Sequence, residues 1–495
     1  MKILIHTILL CLLGLLSNAQ VYFNNRYDLH TKADAACSVF LHQGEYFVPC
    51  GGLDTTQINL SLSVMKVDLN GVVTNSSHYF KQNDWFYSAQ IGKMNPFNDS
   101  VLLYIGSRIG SGVSMTYTYW FKDNLDSVRY KEYGFPTKEN YINRFVSDGG
   151  GNIYKVGYVD SSYTNADILL VKIDTSGNEI WKKKIGLTGW DEYGYNIAQC
   201  NNGDLLISGL KDSRFSLQQG PLIMRLDTSG NILWQNYYPS PNYANASMDV
   251  MELTNGDIVF TGGKAYPGYG INGYTPRKPT LTRVNAFGNL IWQREYGEIA
   301  EGHDFFTFLV NEKNNFVISG CKVYPYNTVV GMVYEINQNG DSLFSREYLV
   351  GGGQNYFRDV IQAPDKGYVF AGFFIPIFSV GGTGTEDIWL LKTDSTFCEG
   401  FFNCGYPTGL VGSDETERIF DIYPNPAKDI LYIDFVNSED KRRFEIYDSF
   451  GKLVLNEDIS TQHSSLNTQQ LTSGIYFYKV ISGNNVLQNK LIIIK

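Results

Sequence analysis

Short runs of alternating apolar and polar residues recur along most of the chain, with small polar turns between them. In one stretch, the turn NNGD separates YNIAQ (195–199) from LLISG (205–209), and the turn TSGN separates PLIMRLD (221–227) from ILWQNYY (232–238). Such alternation is typical of β-strands that bury one face, and Asn-Gly or Ser-Gly pairs between them indicate hairpins. The pattern predicts an all-β chain made of four-strand units.

One ten-residue segment shows that these units repeat. It reads KIDTSGNEIW at 172–181, RLDTSGNILW at 225–234 and RVNAFGNLIW at 283–292. A mean period of about 54 residues suits a β-propeller blade with long loops, and we therefore predict seven four-stranded blades over residues 20–404. The acidic or amide residues that open the repeated turn are Asp68, Asp123, Asp174, Asp227, Asn285, Asn337 and Asp394.

The fixed offset of a tryptophan from this turn indicates a structural role. Trp181, Trp234 and Trp292 each follow the turn at the same distance. We expect them to lie between neighbouring blades rather than to stack on a ligand.

The start of the mature chain supplies a strand that the last repeat lacks. VYFNNRYD (21–28) resembles the outer strands WQREYGE and FSREYL, whereas the seventh repeat runs from KTDS into FCEGFFNCG. We expect 21–28 to complete the seventh blade, because ring closure removes unpaired strand edges. The pattern GxLLxxG followed by LLKxDxxGxxxW resembles bacterial β-propeller repeat proteins, and this resemblance implies a fold but no function.

The N-terminus has the pattern of an export signal. A lysine precedes an apolar run from Ile3 to Leu16, and small residues lead to Ala19. The run is too short to span a bilayer and predicts a signal peptide at 1–19. Because no second apolar stretch is long enough, we expect no membrane span in the mature chain.

The composition changes after a polar segment at 405–418, which we predict to be a linker. YPNP (423–426), YDSFGKLV (447–454) and LTSGIYFYKV (471–480) lie in a strand-rich module at 419–495, which predicts a small Ig-like β-sandwich. The module resembles the type A C-terminal sorting domain of the type IX secretion system of Bacteroidetes. The residues that carry this resemblance are Tyr423, Pro424, Asn425, Pro426, Gly451, Gly474, Tyr476 and Lys495.

This resemblance implies that the secretion machinery recognises 419–495. It also implies passage through the periplasm, followed by release or attachment at the outer-membrane surface. The alternative is an accessory or spacer domain. Deletion of 419–495 separates the two, because only loss of a sorting domain would leave the protein in the periplasm.

The charge balance excludes one class of partner. The formal net charge is −10 and only 18% of residues are charged. A nucleic acid or an anionic membrane surface normally requires a basic patch. We therefore expect neither partner.

The cysteines leave two possibilities open. Counting outward from a two-residue turn at 43–44 places Cys37 opposite Cys50, and Cys398 and Cys404 could close a short loop. Disulfides suit an exported protein, but buried free thiols fit equally well. The sequence has no C-x-x-C motif or Cys/His cluster, so we expect no metal site and no cofactor.

The segments between successive blades are the best candidates for binding. They read NDWFY, KENYIN, GWDEYGY, PNYANA, EGHDFF and GGQNYF, and each places an aromatic residue beside an acid or amide. Aromatic faces with polar neighbours suit sugars or peptides, although the same residues could simply cover the ends of the blades. The candidate residues are Trp85, Tyr87, Tyr141, Trp190, Asp191, Glu192, Tyr193, Tyr243, His303, Asp304, Asn355 and Tyr356.

Three functions remain open at this stage. The first is a surface or secreted binding module for glycan or peptide. The second is a structural or adhesive surface protein. The third is a glycan-active hydrolase or lyase that uses carboxylates such as Asp191, Glu192 and Asp304, with His303, as acid and base. Binding is favoured over catalysis, because the sequence has no G-x-S-x-G, P-loop or zinc-protease motif and assigns no catalytic residue.

Overall fold

The computed structural model contains strands and no helix in the part of the chain that it describes. No helix of the described residues could therefore span a membrane. The described residues are 21–29, 34–53, 60–79, 85–87, 94–98, 101–109, 113–160, 166–213, 219–238, 248–266, 276–299, 302–324, 328–351, 353–376, 386–399, 420–425, 427–435, 442–448, 452–459, 461, 463–482, 485–493 and 495.

The strands before residue 400 form antiparallel groups, which we call sheets 1 to 7 in chain order. Sheet 1 contains β2 (Asp34–Ala36), β3 (Phe40–His42), β4 (Glu45–Leu53), β5 (Leu60–Asp68) and β6 (Val73–Tyr79). Sheet 2 contains β7 (Trp85–Tyr87), β8 (Met94–Asn98), β9 (Val101–Ile109), β10 (Met115–Phe121) and β11 (Ser127–Tyr133). Sheet 3 contains β12 (Glu139–Ser147), β13 (Asn152–Asp160), β14 (Ala166–Asp174) and β15 (Glu179–Ile185).

The remaining groups repeat this order. Sheet 4 contains β16 (Trp190–Gln199), β17 (Leu205–Ser213), β18 (Gln219–Leu226) and β19 (Ile232–Tyr237). Sheet 5 contains β20 (Val250–Glu252), β21 (Ile258–Ala265), β22 (Arg277–Val284) and β23 (Leu290–Glu295). Sheet 6 contains β24 (Gly302–Val310), β25 (Phe316–Val323), β26 (Val329–Ile336) and β27 (Ser342–Tyr348). Sheet 7 contains β28 (Gly353–Gln362), β29 (Tyr368–Pro376), β30 (Asp387–Thr393) and β1 (Phe23–Tyr27), and one parallel bridge joins it to sheet 6.

The pairing of β1 with β30 connects the two ends of this region. The strands run antiparallel, with Phe23 opposite Lys392 and Tyr27 opposite Ile388. Phe23 and Ile388 then share one buried cluster with Val48 of sheet 1. The start of the chain thus packs into a core made by sheets 1 and 7.

The turn between the third and fourth strands of each sheet explains the repeated sequence. In sheet 1, the Asp68 carboxylate accepts hydrogen bonds from the backbone N–H groups of Asn70 and Val72, at 2.8 and 2.9 Å, and Gly71 has a φ of +85°. A positive φ favours glycine, and Asp stabilises such a turn through these local bonds. The residues with positive φ at this position are Gly71, Leu125, Gly177, Gly230, Gly288, Gly340 and Phe397.

The second repeat is shifted by one residue from the sequence-based alignment. The prediction opened this turn at Asp123, but the backbone pair that closes it joins Lys122 to Asp126. Leu125 takes the positive φ that glycine takes in most other repeats. The sequence alignment placed this turn one residue too late because no glycine marks it.

A tyrosine on the fourth strand, or just after it, clamps each of six sheets to the next. The Tyr133 hydroxyl, for example, donates to the Gly177 carbonyl at 2.8 Å. The clamp joins Tyr27 to Gly71, Tyr79 to Leu125, Tyr133 to Gly177, Tyr238 to Gly288, Tyr296 to Gly340 and Tyr348 to Phe397.

The repeated tryptophans contact the same turns of the following sheet. The Trp234 indole N–H donates to the Ala286 carbonyl at 3.1 Å. A Cβ atom added to Gly230 would lie 2.9 Å from the Trp181 ring. These rings therefore fill the space between neighbouring sheets.

Of the two possibilities left open for Cys37 and Cys50, the structure contradicts the disulfide. Both are buried free thiols. Phe40 pairs with Phe47 as the turn predicts, but the register then slips by one residue and places Ala36 opposite Cys50. Cys398 is buried, and the disulfide between Cys398 and Cys404 stays a prediction because Cys404 lies outside the described residues.

The C-terminal module is a sandwich of two sheets. One contains β31 (Phe420–Tyr423), β32 (Ile430–Phe435) and β35 (His463–Asn467), and the other contains β34 (Leu453–Ile459), β33 (Arg442–Asp448), β36 (Gly474–Ser482) and β37 (Asn485–Ile493). Leu431 and Phe444, one from each sheet, belong to a single buried cluster.

Candidate functional site

The antiparallel strand order gives sheets 1 to 7 two different ends. The turns between strands one and two and between strands three and four lie at one end, which we call the turn end. The connections between strands two and three, and from one sheet to the next, lie at the opposite end, which we call the loop end. The predicted binding residues with described backbone belong to the loop end. Tyr243 lies outside the described residues, and only the backbone of Trp85 and Tyr87 is described.

Several polar residues at the loop end are buried and support the chain that precedes them. Asn355 is fully buried, and its side-chain oxygen accepts a hydrogen bond from the Val350 N–H at 3.0 Å. Each of these side chains accepts from the backbone N–H five residues earlier. We call them loop caps, and they are Asp34, Asn140, Glu192 and Asn355.

The buried His303 has a related position. Its ring would lie 2.5 Å from a Cβ atom added to Gly297, which has a φ of +77°. Of the predicted binding residues, Glu192, His303 and Asn355 thus have their side chains inside the fold. Burial leaves these three little surface with which to contact a ligand.

Burial also changes the acidity of one loop cap. It raises the pKa of Glu192 to about 6, and the nearby Asp167 and Asp191 act in the same direction. The Leu187 N–H and Lys211 oppose the shift without cancelling it. Glu192 is therefore a carboxyl group that exchanges its proton near neutral pH.

A β-bulge interrupts the first strand of four sheets three residues after the cap position. The ladder skips Asn143, Tyr195, Phe306 and Arg358 in β12, β16, β24 and β28. A bulged residue leaves the pairing ladder, and its side chain is aimed differently from those of its neighbours. The sequence did not reveal these positions, because one inserted residue shifts the alternation of apolar and polar residues without interrupting it.

The residue after the bulge in sheets 4, 6 and 7 helps to join neighbouring sheets. Asn196 donates to the Asp249 carboxylate of sheet 5, which also accepts from the Phe308 N–H of sheet 6 at 3.0 Å. Asp359 of sheet 7 accepts from Thr307 of sheet 6 at 3.3 Å and from the Val39 N–H of sheet 1 at 3.1 Å. These contacts fix how the first strands lie against one another.

Half-buried tyrosines form a continuous row across sheets 3 and 4. Tyr141 and Tyr158 stack with ring centroids 4.7 Å apart, and Tyr158 meets Tyr193 edge to face at 4.9 Å. Tyr195, the bulged residue, stacks on Tyr193 at 6.3 Å. We call Tyr141, Tyr158, Tyr193 and Tyr195 the tyrosine row.

Two members of this row were not predicted. Tyr158 lies on the second strand, and only the register that pairs it with Tyr141 reveals its position. Tyr195 was read as an ordinary strand residue. Burial raises its pKa to about 12, with Tyr193 and Asp212 adding to the shift.

A second group of rings lies beside the row. Trp190 meets Tyr237 edge to face at 6.0 Å, and the Lys211 ammonium lies 4.4 Å from the centroid of a Trp190 ring. Asp191 accepts a hydrogen bond from the Ala166 N–H at 2.9 Å, which joins sheet 4 to sheet 3. Trp190 is thus partly covered by a cation, and Asp191 has a structural bond.

The other predicted residues lie at the loop end of sheets 6 and 7. Tyr356 stacks on Phe373 at 4.7 Å, and Asp304 pairs with Cys321 along the sheet 6 ladder. Tyr356 occupies the position of Tyr141 and Tyr193, two residues before a bulge. The structure therefore brings the predicted aromatics into equivalent places on different sheets.

The described residues of this face show no metal site. Within the described ranges, no group of three or more His, Cys, Asp or Glu side chains could hold a metal ion. A cavity of about 380 Å³ does exist, but it lies at the turn end of sheets 5 and 6. Its Arg283 is already bonded to Asp257 at 2.6 Å and to the Gln338 carbonyl at 2.9 Å.

The sorting-domain motif residues with described side chains have structural contacts. Asn425 accepts from the Ile492 N–H at 2.9 Å, the Tyr476 hydroxyl donates to the Thr472 carbonyl at 3.1 Å, and Lys495 contacts Asp429 at 3.0 Å. These bonds tie the YPNP entry and the final residue to the strands. Pro426 and Gly451 lie outside the described residues.

Comparison with known families identifies the C-terminal module. Residues 421–495 match the secretion system C-terminal sorting domain. The protein is therefore secreted through the type IX secretion system to the cell surface or the extracellular space. No curated protein matches the sequence.

Solved structures resemble the chain only in fold. An ulvan lyase from a new family of polysaccharide lyases has a TM-score of 0.45 at 9% identity, over 76% of this chain and 96% of its own. The β-propeller domain of the Trilobed protease from Pyrococcus furiosus has a TM-score of 0.40 at 9% identity, over 78% of this chain and 99% of its own. Likenesses at this level carry no argument about function.

Proposed function

We propose that sheets 1 to 7 are the blades of one closed seven-bladed β-propeller. Three contacts support closure, one inside sheet 7 and two between sheets 7 and 1, and each has equivalents elsewhere among the sheets. They are the β1–β30 ladder, the Tyr27 clamp on Gly71 and the Asp359 bond to the Val39 N–H. In a closed ring, the loop ends of all seven blades would share one face.

We further propose that this face makes the protein an exported glycan-binding module. The tyrosine row carries the proposal, because it presents several half-buried rings side by side at the loop end. Pyranose rings have apolar faces that pack on aromatic side chains, while nearby polar groups bind the hydroxyls. Lys211 and Asp212 lie close enough to supply such groups.

The row favours a glycan over a peptide. Extended peptides usually bind by adding a strand to a free sheet edge or by filling a groove. The first strands at this site instead pack against one another, as β12 and β16 do. The rings therefore offer stacking surface rather than unpaired backbone.

A glycan array with the purified mature protein tests the proposal. We expect binding to at least one polysaccharide class and no turnover, with Tyr141→Ala and Tyr193→Ala each weakening binding. Silence across soluble and insoluble polysaccharides would instead favour a structural or adhesive surface protein. Binding that Tyr193→Ala leaves unchanged would place the site elsewhere.

Glu192 gives a specific reason to include turnover assays. A carboxyl group with a pKa of about 6 is suited to proton transfer near neutral pH, and tyrosines lie beside it. Its burial and its bond to the Leu187 N–H argue against a role as a general acid. Cleavage of a bound glycan, lost in Glu192→Gln, would make the protein a hydrolase or lyase.

The role of the sorting domain can be tested separately. Deletion of 419–495 should leave the remaining chain in the periplasm, because the secretion machinery would have nothing to recognise. Cell fractionation measures this. Normal export of the truncated chain would mean that the domain serves another purpose.

A further inference from the structure

Arg358 occupies an unusual place at the loop end of sheets 6 and 7. It is the bulged residue of β28, so its side chain leaves the strand ladder. Its guanidinium carbon lies 4.3 Å from the ring centroid of Phe306, 5.2 Å from that of Phe373 and 5.8 Å from that of Tyr356. Three aromatic rings from two sheets thus hold one cation.

The hydrogen-bonding capacity of this guanidinium is unused within the described part of the chain. Arg225, in contrast, bonds through all three nitrogens, to Asp204, Glu252 and Asn202. Arg358 has no hydrogen bond or ion pair to any described residue, and its Nε is buried without a partner. A buried donor without a partner is costly and normally indicates a missing ligand or water.

Two carboxylates influence this position without contacting it. Arg358 lowers the pKa of Glu386, although burial raises it more, and Asp304 contributes to the field at Tyr356. Neither acid forms an ion pair with Arg358. The Arg358 guanidinium is therefore held by aromatic rings, and its N–H groups remain available to a ligand.

We propose that Arg358 binds the carboxylate of an acidic sugar, while Tyr356 and Phe373 pack against the sugar ring. A guanidinium donates two parallel hydrogen bonds to a planar carboxylate, and aromatic surroundings strengthen such bonds by excluding water. This inference rests on the proposed glycan-binding function and adds that the glycan contains uronic acid. The nearby Glu386 and Asp304 disfavour ligands of higher negative charge.

The test compares oligogalacturonate with its methyl ester, which keeps the ring and removes the charge. Isothermal titration calorimetry with the mature protein should show that the acid form binds more tightly by about ten-fold or more. Arg358→Gln should abolish this preference, and Arg358→Lys, which keeps the charge but not the fork, should restore only part of it. Circular dichroism confirms that each variant is folded.

The outcomes separate this inference from the proposed function. Equal affinity for the two forms, no binding of either, or a preference that survives in Arg358→Gln would overturn the acidic-sugar assignment. Tighter binding of dextran sulfate or of an acidic peptide would overturn it as well. In each case, neutral glycans that bind the wild type and lose affinity in Tyr193→Ala would leave the proposed function standing.

Discussion

The turn end and the loop end of the same sheets follow different rules. At the turn end, each repeat has one residue with a positive φ in the turn between strands three and four. A tyrosine from the preceding sheet bonds to this residue in six of seven cases. At the loop end, only the caps and bulges recur. The bulged residue there changes from Asn143 in sheet 3 and Tyr195 in sheet 4 to Phe306 in sheet 6 and Arg358 in sheet 7.

This difference separates residues that fold the chain from residues that can bind. A contact that recurs in sheet after sheet is needed to pack each sheet on its neighbour. A residue that differs from sheet to sheet at an equivalent position, and that is not fully buried, is not needed for this packing. Tyr195 and Arg358 meet this condition, whereas Glu192 and Asn355 do not.

The largest effect is expected where β1 packs against sheet 1. Phe23→Ala should lower the free energy of unfolding by about 3–5 kcal/mol, because it leaves a cavity between β1 and the core of sheet 1. Phe23 is 2% exposed and also packs on the Gly71 turn. Thermal denaturation of the mature protein measures the loss.

Leu233→Ala is the matched control, since Leu233 lies on another fourth strand and is 53% exposed. Its expected effect is below about 0.5 kcal/mol. Equal effects of the two substitutions would show that β1 is not part of the core.

The turn glycines offer a second comparison. Gly177→Ala should destabilise the protein by about 2–4 kcal/mol, because it strains a positive φ and forces a Cβ atom against Trp120. That atom would lie 2.6 Å from the Trp120 ring. Gly203→Ala has a similar φ of +92° with nothing within 4 Å, and should cost only about 1 kcal/mol. Equal melting temperatures of the two variants would remove the evidence that the turns pack between sheets.

Asn355→Ala tests whether a loop cap is structural. Loss of its buried hydrogen bonds should cost about 1–3 kcal/mol of stability. Glycan affinity, measured well below the melting temperature, should not change. A weakened affinity with normal stability would return Asn355 to the binding site.

The smallest effect is a pH dependence with opposite signs at the two ends. Because burial raises the folded-state pKa of Glu192 to about 6 from an ordinary 4.5, its favourable contribution is complete below pH 4.5 and is lost as the pH rises through 6. Glu192→Gln should therefore gain in melting temperature relative to wild type between pH 4.5 and pH 7.

Asp148, at the turn end of sheet 3, should behave in the opposite way. Burial raises its pKa, but bonds from Asn152 and Gly150 outweigh this and lower the pKa overall. Its contribution is present at neutral pH and is lost as the pH falls. The stability advantage of wild type over Asp148→Asn should shrink in acid, and parallel pH profiles for both variants would contradict the assignment.

Much of the fold could be predicted because the turn chemistry is local. An Asp or Asn followed by glycine specifies the hairpin wherever it occurs, and its spacing counts the repeats. The prediction failed where the residue type did not reveal the backbone conformation. Leu125 adopts a positive φ without being glycine, and one extra residue in the first strand of sheet 1 moved Cys37 away from Cys50.

The candidate site was less predictable for a similar reason. A buried cap such as Asn355 and a half-buried ring such as Tyr356 lie next to each other in sequence, and composition alone does not separate them. The face of the sheet on which each side chain lies depends on its position in the alternation along the strand, and a bulge shifts that alternation by one residue. Tyr158 and Arg358 entered the site only through the ladder register and the bulge.

The most direct test compares one exposed aromatic residue from each end. Polysaccharide affinity would be measured for Tyr193→Ala at the loop end and for Phe287→Ala at the turn end, where Phe287 is 75% exposed. We expect a loss of about ten-fold or more for Tyr193→Ala, because the variant lacks a stacking ring, and wild-type affinity for Phe287→Ala. Wild-type affinity in the first variant, together with a loss in the second, would contradict this expectation.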